Sequence, residues 1–162
     1  MQNASKSLNI YATCANIHTG DTMIRVKYYN CLPQEAKDIR TAVFIKEQGF
    51  KDEFDNTDEI CLHFVLFKDN TAAATGRMFT EDNGKSYHIG RVAVLKEYRA
   101  FHFGATIMKE MIKKAKALGA QKVILSAQCR ASGFYEKLGF KKIGEIYMDE
   151  YCPHIKMELP LC

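Results

Sequence analysis

No two of the six cysteines (Cys14, Cys31, Cys61, Cys129, Cys152 and Cys162) stand in a C-x-x-C pair. That removes the usual spacing of a zinc site or a dithiol redox motif. A chain of 162 residues can bury a core that needs neither metal nor disulfide, so free thiols in a reducing cytoplasm are expected. No apolar run reaches the length of a membrane-spanning helix. The N-terminal "LNIYATCANI" is interrupted by Asn9 and Asn16, and only Lys6 precedes it as a basic residue, which makes a poor signal peptide. Internal repeats and low-complexity linkers are missing as well. Neither a G-K-[ST] phosphate loop nor a G-x-G-x-x-G dinucleotide fingerprint occurs. A strong charge of one sign is also lacking. The formal net charge of +4 can help draw in an anion but is not the concentrated basic face of a nucleic-acid binder.

What is present is an ordinary globular composition, 47% hydrophobic and 26% charged. One domain over residues 23–162 is expected, with 1–22 as an arm or an extra strand. "MIRVKYY" (23–29) reads as a strand. A helix follows from about Pro33 to Lys46, with Ile39, Val43 and Phe44 on its apolar face. The acidic "GFKDEFDNTDE" reads as a loop or short helix. Strands over 60–67, 70–80 and 86–95, separated by turn signals at Asp69-Asn70 and "DNG", form an antiparallel meander. Apolar Met108, Met111, Ile112, Ala115 and Leu118 then recur at helical spacing up to the cap residue Gly119. Lys109, Lys113, Lys114 and Lys116 are the solvated positions between them, so no nucleic-acid partner is expected. "KVILSA" (122–127) is a short strand buried on both faces. Strand 86–95, helix 104–118 and strand 122–127 make a crossover that sets the two strands parallel. A short helix at 132–139 and two closing strands complete a mixed α/β (α+β) sheet.

The informative stretch is "RVAVLKEYRAFHFGATIMKEM" (91–111), a strand that runs through a turn into the long helix. The first amides of a helix have no intrahelical acceptor, and the helix dipole adds about half a positive charge there. With Arg99 at its mouth and Gly104 sparing space, the turn suits a phosphate or pyrophosphate. One glycine and one arginine would by themselves equally suit a plain tight turn.

Read together, "RVAV", "RAFHFGA", the long helix, the apolar strand and "FYEKLGF" resemble the GNAT superfamily of acyl-CoA-dependent N-acetyltransferases. "VFIKEQGF", "IGRVAVL" and "MDEYCPHIKM" resemble its YjcF/ElaA-like branch. The resemblance spans roughly 23–160 and implies a mostly antiparallel sheet with a splayed parallel pair and helices on both faces. In that family a turn of the form [QR]-x-x-G-x-[GA] binds the coenzyme A pyrophosphate. Arg99, Gly104 and Ala105 match it, with His102 in the first-glycine position. The resemblance implies that the backbone of Val92, Ala93 and Val94 pairs with the pantetheine arm. It also implies that the amides of Arg99, Ala100, Phe101, His102, Phe103, Gly104 and Ala105 hold the pyrophosphate and that Phe134 packs on the coenzyme. Phe134 is equally readable as a core aromatic.

Two proton transfers then need carriers. The leaving thiolate has a conjugate acid of pKa roughly 8.5 if it resembles cysteine, and a phenol of pKa about 10 can protonate it. Tyr135 of the "FY" pair is the candidate acid. The attacking amine, if lysine-like, is protonated at neutral pH, and freeing its lone pair costs about 4.6 kcal/mol. His88, where several family members carry a glutamate base, is one candidate acceptor of that proton, or else a polar residue beside a turn. On ideal alternation it shares a face with Gly90, Val92 and Val94. Glu47 and His154 are rival bases or substrate ligands. Arg77 and Arg91 either bind an anionic group or pair with Glu47 and neighbouring acids, and His63 reads as a core histidine. The function expected is acetyl transfer from acetyl-CoA to a primary amine of a small molecule by direct attack, with no metal, no membrane partner and a possible homodimer. A non-catalytic acyl-CoA sensor of the same fold is the alternative.

Overall fold

The structure, a computed structural model, describes residues 15–161; Cys14, Cys162 and most of the expected N-terminal arm lie outside them. Eight strands form one sheet in the order β1-β2-β3-β4-β5-β6-β8-β7. They are β1 (Ala15–Thr19), β2 (Thr22–Tyr29), β3 (Leu62–Lys68), β4 (Thr71–Phe79), β5 (Ser86–Val94), β6 (Lys122–Gln128), β7 (Lys141–Asp149) and β8 (Cys152–Pro160). β5 and β6 are parallel and every other neighbouring pair is antiparallel. β3 to β5 are the expected meander, joined at Asp69-Asn70 and at "DNG", and β2 extends it beside β3. Both Asp69 and Asn83 take a positive φ, which short polar side chains tolerate better than most.

Helix α1 (Gln34–Arg40) and helix α2 (Phe103–Ala117) lie on opposite faces of the sheet. Alternation along β3 proves the point. Phe64 and Leu66 pack with Ile107, Met108 and Met111 of α2, whereas Val65 and Phe67 pack with Ala36 of α1. Helix α3 (Ser132–Lys137) follows β6. The α2 side carries the main core, with Met108, Met111 and Ala115 fully buried as the spacing requires.

One helix departs from expectation. The segment read as a single helix to Lys46 is α-helical only to Arg40 and then π-helical over Thr41–Glu47. Gln48 N–H donates to Val43 O at 3.1 Å, an i→i−5 bond. The wider turn lets Ile39, Val43 and Phe44 all reach Ala93 on β5. It also projects the following Glu47 and Gln48 toward the opening between β5 and β6. π-turns of this kind are rare and concentrate at functional sites.

Candidate active site

β5 and β6 pair from Ser86↔Lys122 to Ile89↔Leu125 and then part. The cause is in β5. Thr75 to Arg77 on β4 face Ala93 to Gly90 on β5, so β5 holds one extra residue there. Arg91 supplies it, with φ 53°. A bulge of this kind bends its strand and ends regular pairing. β6 meanwhile turns to β8, its Ser126–Gln128 pairing with Lys156–His154. Gly90–Val94 therefore keep β4 on one side and meet no strand on the other, among the described residues.

The bulge also corrects the face assignment made for β5. Ile89, Val92 and Val94 all meet the α2-side core, although simple alternation would set Ile89 opposite the other two. One inserted residue reverses parity beyond it. His88 consequently faces away from Val92 and Val94. Its ring stacks on Phe79 at 5.1 Å, and its Nε2 lies 3.7 Å from the exposed Glu81 carboxylate. It lines neither cavity described next.

Two adjoining cavities fill the opening. One, of about 410 Å³, runs along Val92, Ala93 and Val94 to Arg99, His102, Gly104, Ala105 and Phe134. The other, of about 290 Å³, lies between the loop after α1, the bulge of β5, Ser126 and Gln128 of β6, and Asp149, Glu150 and His154. Gln48, Val92, Ala131 and Tyr135 line both.

At the far end of the first cavity is the start of α2. The helix ladder opens with Thr106 N–H donating to His102 O at 3.1 Å. Phe103, Gly104 and Ala105 are therefore its leading amides, with no backbone acceptor among the described residues and no side-chain cap. His102 takes φ 59°, ψ 27°, a left-handed conformation that glycine adopts without steric cost. A histidine can occupy it because that region tolerates His better than most residues. A Cβ on Gly104 would meet Phe134 Cζ at 3.3 Å and Val94 Cγ2 at 3.6 Å, so a side chain would crowd the groove where its walls come together. The amide row, the narrow glycine floor and the unpaired strand edge all fit a pantetheine diphosphate. Not every residue of the turn faces the groove. Phe101 and Phe103 point their rings to the other side, stacked on each other at 5.4 Å beside Ile17 and Ile24. Ala100 is exposed and lines neither cavity, so these three contribute backbone at most.

Arg99 is engaged. Its Nη1 and Nη2 donate to both carboxylate oxygens of Glu47 at 2.7 and 2.6 Å, and its Nε donates to Val94 O at 3.1 Å. Hydrogen bonding from Arg99 holds the Glu47 carboxyl below its ordinary value, which makes Glu47 a weak base. Both side chains are about two-fifths exposed, so the pair is worth at most about 1 kcal/mol. Glu47 competes with any diphosphate for this guanidinium. Glu47→Gln is expected to tighten coenzyme A binding by up to about fivefold. Isothermal titration with coenzyme A checks this, and unchanged or weaker binding would show that Glu47 orients Arg99 rather than competing for it.

Tyr135 stands where the two cavities meet. Its ring packs edge-on against Phe134 and Phe140, and its hydroxyl has no hydrogen-bond partner among the described residues. Burial pushes the phenol up to about 12, so it carries its proton at neutral pH. His154 is buried on β8 and lines the second cavity with Tyr135. Its Nδ1 lies 2.9 Å from Cys152 O. A carbonyl only accepts, so Nδ1 carries the hydrogen and Nε2 of the neutral ring holds a lone pair. That nitrogen has no partner among the described residues.

The acidic loop, read from sequence only as polar, is built into the wall. Arg40, 1% exposed, donates to Glu53 Oε1 at 2.7 Å, to Glu53 O at 2.9 Å and to both oxygens of Asp58 at 2.8 and 3.1 Å. Arg77 bonds Asp55 and Asp58 at 2.6 and 2.7 Å. Arg91 reaches Glu53 and Asp55 at 3.1 and 3.3 Å. The two arginines open to either reading thus pair with acids of this loop, not with Glu47. His63 is the expected core histidine, its Nε2 donating to Asp58 O at 2.8 Å, and burial pushes its pKa down. Asp58, Cys61 and His63 bring three ligand atoms within 4.8 Å of one another. Both Asp58 oxygens already face arginine, however, and burial pushes the Cys61 thiol up to about 11. Two guanidinium charges in the ligand shell repel a cation, so the trio reads as scaffold.

A sheet that opens beside a helix N-terminus, with a phenol at the junction, defines an acyl-CoA-dependent acyltransferase. The chain belongs to the GNAT acetyltransferase family: residues 31–161 match the model described as "Acetyltransferase (GNAT) domain". It is 34% identical over 123 residues to YjcF of Bacillus subtilis, named as an uncharacterized N-acetyltransferase, covering 74% of this chain and 86% of that one. The crystal structure of Escherichia coli ElaA superposes with TM-score 0.75 at 26% identity, covering 84% of this chain and 99% of ElaA. An acetyltransferase of Bacillus subtilis solved in complex with CoA shares the fold, with TM-score 0.67 at 18% identity over 86% of this chain and 99% of that one. No helix among the described residues is long and apolar enough to cross a membrane.

Proposed function

We propose that this protein transfers the acetyl group of acetyl-CoA to a primary amine of a small molecule by direct attack, with Tyr135 as acid and His154 as base. The observation that carries the reading is that one cavity is lined both by a protonated, unpartnered phenol and by a buried imidazole with a free lone pair. The thioester supplies the acyl carbon and departs as a thiolate. The unpaired edge of Gly90–Val94 and the amides of Phe103, Gly104 and Ala105 hold and orient it. His154 Nε2 takes the proton that the amine must lose as its lone pair forms the new C–N bond. As the C–S bond breaks, Tyr135 donates its proton to sulfur and is reprotonated through solvent. An imidazole exchanges protons readily near neutral pH, and a phenol held above its ordinary pKa still carries its proton when the thiolate forms. Ser126 and Gln128 border the reacting region from β6, and Gln128 bonds Gln48 at 2.8 Å across the opening.

Release of free thiol from acetyl-CoA, followed spectrophotometrically with a broad amine panel, tests the reading. Acceptor-dependent release with single-step ternary kinetics is expected. Tight coenzyme binding with no amine-dependent release would favour the sensor instead.

A further inference from the structure

We propose that the acceptor carries two or more cationic nitrogens, a diamine or oligoamine, with its distal ammonium held by the carboxylates of the smaller cavity. This inference rests on the transferase reading and names the substrate class for it. The chain as a whole is basic, with 23 Lys and Arg against 19 Asp and Glu, so an acidic cavity is not what composition would supply. Yet Asp52, Glu53, Asp149 and Glu150 line it, against Arg91 as the sole Lys or Arg among the described residues.

Arginine does not cancel that charge. Arg40, Arg77 and Arg91 are consumed by Glu53, Asp55 and Asp58, three cations against three anions. Asp52, Asp149 and Glu150 remain in excess. The carboxylates of Asp52 and Asp149 have no hydrogen bond or ion pair among the described residues. Glu150 accepts only neutral backbone amides, from Lys51 at 3.2 Å and Asp52 at 3.3 Å.

Two further observations point to a ligand in this cavity. The His154 ring is buried and lines the cavity, and its Nε2 has no partner among the described residues. Glu53 is 4% exposed, and Oε1 takes both arginine Nε groups while Oε2 has no partner among the described residues. Burial pushes the Glu53 carboxyl up, so a cation placed beside it would stabilise its charged form. Phe44 and Phe50 line the same wall, and aromatic rings attract ammonium groups. The geometry therefore separates two demands. One nitrogen must lose its proton near His154, and the other must keep its charge to be held.

The test compares three acceptors of equal length on the full chain: diaminobutane, butylamine and aminobutanoate. They differ in whether the far end is cationic, neutral or anionic. kcat/KM is expected to fall in that order by about tenfold per step, and the preference to shrink in about 0.5 M salt. Asp52 and Asp149 are exposed, so a double Asp52→Asn, Asp149→Asn variant should fold normally, which its melting temperature checks. It is expected to reduce the diamine-to-monoamine preference by about tenfold, two exposed charges at about 0.7 kcal/mol each. Equal or reversed acceptor order, or a double variant that keeps the wild-type preference, overturns the charge inference and leaves the transferase intact. Absence of thiol release with every amine overturns the transferase reading, and this inference falls with it.

Discussion

Replacing Tyr135 with phenylalanine is expected to lower kcat by about 10²- to 10⁴-fold, the usual contribution of a positioned general acid, while the Kd for coenzyme A changes less than about threefold. Among the described residues the phenol is the sole phenolic group lining the two cavities, and burial keeps it protonated. Its hydroxyl bonds no other group among the described residues, so deletion orphans no partner and costs little stability. The ring still packs against Phe134 and Phe140. A loss confined to kcat, with unchanged melting temperature and coenzyme affinity, therefore isolates proton donation. Acetyl thioesters with leaving thiols of different pKa sharpen the test: the variant's rate should depend more steeply on the leaving thiol than the wild type's does. Wild-type turnover in the variant would mean that solvent protonates the thiolate.

Arg40→Met should be the most damaging change outside the chemistry, destabilising the fold by about 3–5 kcal/mol, the cost of leaving buried charges uncompensated. For a chain of this length that lowers the melting temperature by about 10 °C. The guanidinium joins α1 to Glu53 and Asp58 through four hydrogen bonds. Methionine fills the volume but meets neither carboxylate. Because Phe50, Asp52 and Glu53 reach the smaller cavity from this loop, the KM for amine should rise while coenzyme binding at the far end of the opening holds.

Acid should mimic part of the same loss. Burial would raise the Asp58 carboxyl, but hydrogen bonds from Arg40 and Arg77 outweigh it and hold the group at about 2, below an ordinary 3.8. A depressed carboxylate stabilises the fold above its unfolded pKa, and that contribution disappears as pH falls through the folded value. About 2 kcal/mol should vanish between roughly pH 4 and 2. Glu53 has the opposite sign: burial raises it, so its contribution is present below 4.5 and lost as pH climbs through its folded value. Chemical denaturation from pH 7 to 2 checks the balance. In Arg40→Met the acid-dependent slope attributable to Asp58 should flatten.

Much of this architecture was legible locally. Alternation in 60–95 announced the meander, and the 3.6-residue spacing of Met108, Met111 and Ala115 announced α2. The arginine and glycine of the turn before α2 marked the helix start, which always leaves amides over. Phe101 and Phe103 were not separable from their neighbours, since the direction of a ring in a tight turn depends on what packs behind it. The face on which His88 lies was misjudged on parity, because a bulge inserts a residue without leaving a compositional mark.

Arg77 and Arg91 were open between binding an anion and pairing with acids, Arg40 was not singled out, and Glu53 read as part of a loop. Their partners lie 13 to 38 positions away in the chain, a separation that no local pattern encodes.

The amino-acid order by itself determined which segments become strand or helix and that a helix begins at the mouth of β5, since those properties follow from backbone sterics and periodic burial within a few residues. Only the tertiary structure decided that β5 leaves β6 after Ile89, which side chains then line the opening, and which carboxylates remain unneutralised there. Those depend on packing and Coulomb balance among groups that only the finished sheet brings together.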